Sequence, residues 1–257
     1  MVSAVAKHLG KGIYTPSEAA FYAREHTQTV SRWLYGSKGN PPVLTGEFDP
    51  AERLVSFLDF VQLLAIAAIR RQYGVPLQTI HKAIEKAKRH GVDYPFARRH
   101  KTFLFQRLEP SQQDAAYEAD EDGNEVDDRN GREAKQRRFE IFISVENESL
   151  VQMTGRYPGN RVMKEVTELY LTDLHFGTLG LAEQYDAFTY GDLKVTMDPK
   201  RHFGEPLTPS RYTAEALWEA VLAEGSIDLA AKAYGVDRKE VELACKYFDY
   251  LSRPGRG

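Results

Sequence analysis

Apolar residues recur at helical spacing towards both ends of the chain and at strand spacing in its middle. Between Tyr14 and Tyr35, YTPSEAAFYAREHTQTVSRWLY, the spacing predicts two short helices. Thr15 caps the first, Pro16 takes its opening position, and Glu18 stands where a capping-box acid reaches back to the cap. Ala19, Ala20 and Ala23 give it a small-residue face. After Arg24-Glu25-His26, Thr27 caps a second helix in which Val30, Trp33 and Leu34 point inward. No glycine marks the turn between them. Gly36 to Pro50, GSKGNPPVLTGEFDP, has turn residues around Val43-Leu44 and predicts a β-hairpin or wing with Lys38 at its tip. From Leu54 the period is helical again, with Leu54, Phe57, Leu58, Val61, Leu64, Ala65 and Ala68 on one face and a stop near Gly74. Pro76 opens a further helix striped by Leu77, Ile80, Ile84 and Ala87, with Lys82, Lys86, Lys88 and Arg89 outside and Gly91 as its stop.

Strand-like spacing begins at Thr102 to Phe105 and resumes at Phe139, Ile141, Ile143 and Val145. Leu169 to Phe176, Gln184 to Tyr190 and Leu193 to Met197 follow, the last two joined by Gly191-Asp192 as a hairpin turn. The C-terminal pattern is helical. Ala214, Leu217, Trp218, Val221 and Leu222 form one stripe, ended by Gly225. Ser226 caps a second helix with Ile227, Ala230, Ala231 and Tyr234 inside. Gly235 then turns the chain into a third, started by Asp237 and Glu240 as a capping box, with Val241, Ala244, Cys245, Phe248 and Leu251 facing inward. The fold class expected is α+β, mostly helical, with a helix-turn-helix unit at each end and a small β-rich layer between.

Composition refines this picture. A chain of 257 residues with 42% hydrophobic content is long enough for two small cores. The N-terminus lacks the apolar run of a signal peptide, and Phe57 to Ile69 is interrupted by Asp59 and Gln62 and too short to span a bilayer, so a cytoplasmic protein without membrane contact is expected. The single cysteine, Cys245, excludes an internal disulfide and a Cys-based zinc site. Charge is unevenly placed. Met1 to Arg107 holds 16 Lys+Arg against 8 Asp+Glu, or +8, together with five of the seven histidines. Glu109 to Glu133 holds 2 against 10, or −8, and the remainder 16 against 19, or −3. A basic first region beside an acidic segment points to a surface for polyanions and to something that competes for it. Glu109 to Gln136 has almost no aliphatic content and predicts a disordered loop; a calcium loop is the sharper reading of DEDGNEVDDRNG, whose acids depart from EF-hand spacing.

The outer residues of the second helix are donors and acceptors suited to a DNA groove. Gln28, Thr29 and Arg32 are the candidates for base edges, and Ser31, Tyr35 and Lys38 for the backbone. Arg98, Arg99 and Lys101 in FARRHK extend the phosphate track. The same pattern also fits an ordinary solvated helical hairpin. At the other end Arg238, Lys239 and Lys246 alternate with Glu240, Glu242 and Asp249, a mixture that fits a protein-binding surface at least as well as DNA. Sets such as Glu165 and Glu168 with His175, or Asp173 with His175, have no diagnostic spacing, so no catalytic residue, metal or cofactor is assigned and no enzyme is expected.

The order helix-turn-helix, wing, SFLDFVQLLAI and YGVPLQTI resembles the MerR-type winged helix-turn-helix domain over roughly Gly12 to Gly91. Asp198-Pro199, Gly204-Glu205-Pro206 and the helices from Thr213 to Leu251 resemble the small domain of unknown function found in antitoxins encoded beside PIN-domain ribonuclease toxins. The chain as a whole therefore resembles a long VapB-type antitoxin. The implied layout is a MerR-like DNA-binding domain over 1–107, an acidic loop over 108–136, a β-rich segment over 137–198 and a tri-helical antitoxin-like domain over 199–257. The resemblance implies double-stranded DNA and a VapC-type PIN-domain toxin as partners, and a homo-oligomer is expected. Arg253 and Arg256 in the tail are candidates to enter the carboxylate site of such a toxin. The alternative is a stand-alone DNA-binding transcriptional regulator whose C-terminal unit oligomerises.

Overall fold

The computed structural model describes residues 8–89, 91–99, 102–107, 139–145, 149–152, 161–165 and 172–253. Among these the fold is α+β. Helices α1 (Pro16–Ala23), α2 (Thr27–Tyr35), α3 (Phe57–Tyr73) and α4 (Leu77–Arg89) come first, seven strands follow, and α5 (Ala214–Glu224), α6 (Ile227–Tyr234) and α7 (Arg238–Ser252) end the chain. The predicted acidic loop, with its calcium-loop reading, lies outside the described residues, as do Lys101 and Arg256.

The centre of the fold is α3. Ser56 caps it by accepting the Asp59 N–H at 3.2 Å, and Gly74 ends it at φ 66°. Its burial differs from the one-sided stripe expected: Leu54, Leu58, Leu64 and Ala68 keep partial exposure, while Phe57, Phe60, Val61, Leu63, Ala65, Ile66, Ala67 and Ile69 are buried. The helix is wrapped on nearly all sides because it belongs to one apolar cluster with α1, α2, α4 and Leu174, Ala182 and Met197 of the strands.

Two antiparallel sheets follow. The first has the order β3-β2-β1-β4, with β1 (Thr102–Arg107) between β2 (Phe139–Val145) and β4 (Arg161–Glu165), and β3 (Ser149–Gln152) at the edge. Leu104 stands opposite Ile141 on one side and Lys164 on the other. The spacing rules did not anticipate β3 and β4. The second sheet, β5 (Leu174–Phe176), β6 (Ala182–Tyr190) and β7 (Leu193–Met197), includes the expected hairpin: Tyr190 faces Leu193 across Gly191-Asp192, with Gly191 at φ 60°.

The C-terminal helices are capped by Thr213, Ser226 and Asp237 and separated by Gly225 and Gly235 in left-handed conformations. Two expectations change. Glu240 does not complete a capping box; it is buried, and its carboxylate accepts the Ser210 N–H and Oγ–H, each at 2.7 Å. Leu222 is 66% exposed rather than inward. Two faces of α7 are covered, since Val241 joins Ala220, Ala230 and Ala231 while Leu243, Tyr247 and Leu251 join Val195 and Leu217. Cys245 is half-buried, and that burial pushes its thiol pKa up.

The two ends of the chain pack together. Trp218 stacks on Phe248 at 4.7 Å, Phe248 meets Phe21 of α1 at 6.0 Å, and Tyr22 touches both apolar clusters. The loop before α5 adds a second joint. The Tyr14 hydroxyl donates to the Gly204 carbonyl at 2.8 Å, and the Phe203 carbonyl accepts the Ile13 N–H at 2.8 Å. Gly204 sits at φ 92°, where a Cβ would collide with the Tyr14 hydroxyl, so only glycine fits this joint.

Candidate nucleic-acid interface

Local chemistry builds the first helix pair as expected at its start. Thr15 accepts the Glu18 N–H while Glu18 accepts the Thr15 N–H at 2.6 Å, and Pro16 occupies the first turn. The small faces of Ala19, Ala20 and Ala23 let α1 sit close to its neighbours. A glycine-free turn closes because Arg24 itself takes the left-handed conformation, φ 56° and ψ 44°. Arg71 of α3 braces it, donating to the Ala23 carbonyl at 3.0 Å and pairing with Glu25 at 3.4 Å. The cap of α2 differs from the prediction. His26 holds the cap position without a side-chain bond to the leading N–H groups, and Thr27 is the first helical residue.

The structure gathers several predicted residues on one surface. Val30, Trp33 and Leu34 are buried, leaving Gln28 and Arg32 exposed and Thr29 and Ser31 half-buried on the outer side of α2. Arg32 lies back along the helix, with Nε donating to the Gln28 carbonyl at 3.3 Å. Lys38 is exposed on a tight turn closed by Ser37 and Asn40, whose N–H groups bond each other's carbonyls at 2.9 and 2.8 Å. This turn is shorter than a wing of paired strands. Val43 and Leu44 both donate to the Trp33 carbonyl and tie it to the end of α2. Tyr35 faces the other way: its hydroxyl is enclosed, and burial raises its pKa while Arg53 pulls it down. The Arg53 guanidinium lies 4.6 Å from the Tyr35 ring. Sequence reasoning did not single out Arg53 or Arg71, because nothing in the spacing tells which loop or helix end will meet α2.

Behind this surface Asp59 fixes the chain between the turn and α3. It is fully buried, its Oδ2 accepts the Glu47 N–H and the Ser56 hydroxyl at 2.9 Å each, and burial holds its pKa above the ordinary carboxylate value.

The remaining candidates are separate from this face or already engaged. Arg98 donates to the Asp93 carbonyl at 2.8 Å within its own loop after α4, and Arg99 donates to the Phe176 carbonyl at the end of β5 at 3.4 Å. Arg238 is committed to Asp228 at 2.7 Å and Glu242 at 2.9 Å. The Arg253 side chain is exposed, and its carbonyl is gripped by Arg24 through Nε at 3.1 Å and Nη2 at 2.9 Å.

His175 finds a partner the sequence did not indicate. Its Nε2 lies 3.0 Å from Asp186, which also accepts Lys194 at 2.6 Å and Gln184 at 3.1 Å. Burial alone would raise the Asp186 pKa, but these three donors outweigh it and hold the carboxyl below its ordinary value. Burial and the Asp186 charge raise the neighbouring Asp173. The set forms an ion network on one face of the second sheet. Glu168 lies outside the described residues. Among the described residues no group of three His, Cys, Asp or Glu side chains could hold a metal ion, and no helix is long and apolar enough to cross a membrane.

No protein-family model matches the chain. It is similar to the Mycobacterium tuberculosis protein named "Putative antitoxin VapB45", 25% identical over 206 residues and covering 76% of each chain. Its fold is similar to the crystal structure of Rv2018 from Mycobacterium tuberculosis, with a TM-score of 0.56 and 20% identity over 90% of this chain and 96% of the other.

Proposed function

We propose that this protein is an antitoxin of the VapB kind, which binds operator DNA through the outer face of α2 and neutralises a VapC-type PIN-domain ribonuclease. The observation that carries the reading is its similarity to the antitoxin-named protein over 76% of both chains. The DNA half is supported by the open polar face of Gln28, Thr29, Ser31 and Arg32, by Lys38 beside it, and by the +8 charge of the first 107 residues. In this reading two copies meet two operator half-sites, as symmetric DNA readers do. The toxin half draws on Arg253 and Arg256, whose guanidinium groups match a carboxylate site in bidentate fashion.

The test is co-expression with the neighbouring open reading frame. The expected result is a short PIN-type nuclease that co-purifies with the chain, loses ribonuclease activity in the complex, and shifts the upstream DNA together with it. A chain that binds that DNA yet leaves the nuclease active is a lone regulator with a C-terminal oligomerisation unit, and the antitoxin reading is then wrong. Truncation after Leu251 lowers inhibition if the tail enters the toxin; unchanged inhibition removes the tail from the interface.

A further inference from the structure

A cavity of about 210 Å³ opens where distant parts of the chain meet: residues 10 and 11, Glu47, the first turn of α3, the turn 177–183 and residues 199 and 200. Its floor is apolar. Phe57 and Leu58 line it with Leu181 and Ala182, and Leu58 and Leu181 keep partial exposure. Leu179 lines it too yet is 80% exposed, which places it at the rim, and Leu9, next to Gly10, is 70% exposed. Large aliphatic side chains left in water beside an apolar hollow gain from being covered.

The rim carries charge of both signs in balance. Lys11 pairs with Glu47 at 2.8 Å and Lys200 with Glu183 at 3.3 Å, so the charges lining the cavity sum to zero. The second pair is the looser and the more exposed, at 61% and 52%, and it keeps free ammonium donors and carboxylate lone pairs for a further partner.

These groups are held in place by the fold. The Lys11 carbonyl accepts the Phe57 N–H at 2.8 Å, and the Lys200 N–H donates to Asp198 Oδ1 at 2.8 Å. The turn carrying Leu179 is closed by the Gly177 N–H on the Leu181 carbonyl at 2.9 Å and the Gly180 N–H on the Gly177 carbonyl at 3.0 Å. Gly177 also lets the Glu183 carboxylate lie against the backbone, since a Cβ there would collide with it. Walls already ordered lose little entropy on binding.

Size and charge decide the class of occupant. At interior packing density the cavity admits roughly 150 Å³ of molecule, about that of a free amino acid with a medium aliphatic side chain. A nucleotide would bring net negative charge to a lining with none to offset it. A peptide segment would cover the ion pairs without offering charges of its own. A free amino acid carries ammonium and carboxylate on one carbon, about as close together as Lys200 and Glu183 are, so the two pairs of charges match sign against sign. We propose that this cavity binds a free aliphatic amino acid, its ammonium on Glu183, its carboxylate on Lys200 and its side chain over Leu58 and Leu181. Neither toxin nor operator is needed for it.

Ligand-observed NMR titration of the full chain with L-leucine is the test. The dissociation constant expected is about 0.1–1 mM, in keeping with so small a ligand in an open-mouthed site. Isocaproate lacks the ammonium, isopentylamine the carboxylate and glycine the side chain, and each binds at least about 10-fold more weakly. Glu183→Gln and Lys200→Met alter exposed side chains, so both keep the parent melt, and each weakens leucine binding by about 5- to 10-fold. No saturation transfer to leucine at about 10 mM overturns the proposal. Leucine affinity within about twofold of the parent in either variant overturns it as well. N-acetyl-leucinamide binding as tightly as leucine also overturns it, because the site would then take a peptide segment.

Discussion

Replacing Arg24 separates backbone strain from side-chain anchoring at the turn between α1 and α2. Its left-handed backbone, φ 56° and ψ 44°, costs a residue with a side chain about 1 kcal/mol relative to glycine. Against that cost the guanidinium makes two hydrogen bonds to the Arg253 carbonyl, at 3.1 and 2.9 Å, and lies 4.2 Å from the Tyr250 ring. Both contacts are near solvent, so the hydrogen bonds together stabilise by about 1 kcal/mol and the ring contact by about 0.5 kcal/mol. Arg24→Ala loses these contacts and keeps the strain, a destabilisation of about 1.5 kcal/mol. Arg24→Gly loses the same contacts and releases the strain, leaving a deficit of about 0.5 kcal/mol. For a domain of this size these values are thermal midpoints lowered by roughly 3–6 °C and 1–2 °C respectively. Circular dichroism melts of the three chains supply the measurement. An alanine chain as stable as the glycine chain would refute the strain argument, and a glycine chain more stable than the parent would show that the clamp on Arg253 contributes less than the strain it is set against.

Three further outcomes are expected. Arg32→Ala weakens operator binding by about 5- to 150-fold, whereas Lys38→Ala lowers the slope of log affinity against log salt by about 1; anisotropy titrations at two salt concentrations distinguish them, and parent-like binding by Arg32→Ala contradicts the assignment. Asp59 is held above its ordinary pKa by burial, so the folded chain binds a proton that the unfolded chain releases. The Asp59 contribution to stability is then fully present below the unfolded value of about 3.9 and is lost as pH rises through Asp59's own higher value. Asp59→Asn removes this decline, and urea midpoints that fall equally with pH in both chains would rule out Asp59 as its source. Gly204→Ala puts a Cβ into the Tyr14 hydroxyl at φ 92° and destabilises by about 2–4 kcal/mol; a melt indistinguishable from the parent would mean that the joint between the two ends yields freely.

How legible the fold was depended on whether a signal was local. Caps and glycine stops are local chemistry, and Thr15, Glu18, Ser226, Gly225 and Gly235 act in the structure as their sequence context indicates. The Gly191-Asp192 hairpin succeeds for the same reason. Failures came where a distant partner decided the outcome. Glu240 has the spacing of a capping-box acid, but Ser210 offers two donors from a turn 30 residues away. On α3 the apolar residues run round most of the helix, so choosing one stripe required knowing that neighbours cover the others. Outward direction follows from helical period at Gln28 and Arg32, which are exposed. At Tyr35 the direction differs from the outer face expected, because the hydroxyl is enclosed and the ring lies against Arg53.

If the chain binds DNA as proposed, the contrast between the two helix pairs favours α2 over α7 for that role. By sequence alone the C-terminal pair is better formed, with a glycine at its turn and a capped second helix. A reading helix must offer an open polar face, and α7 has apolar clusters against two sides and its leading arginine tied to Asp228 and Glu242. In α2 only Val30, Trp33 and Leu34 are buried, and its cap residue His26 makes no side-chain bond to the leading N–H groups. Packing thus reverses the order of merit that local pattern assigns. The helix with the stronger motif serves the core, and the one whose turn had to be closed by a left-handed arginine keeps its face free.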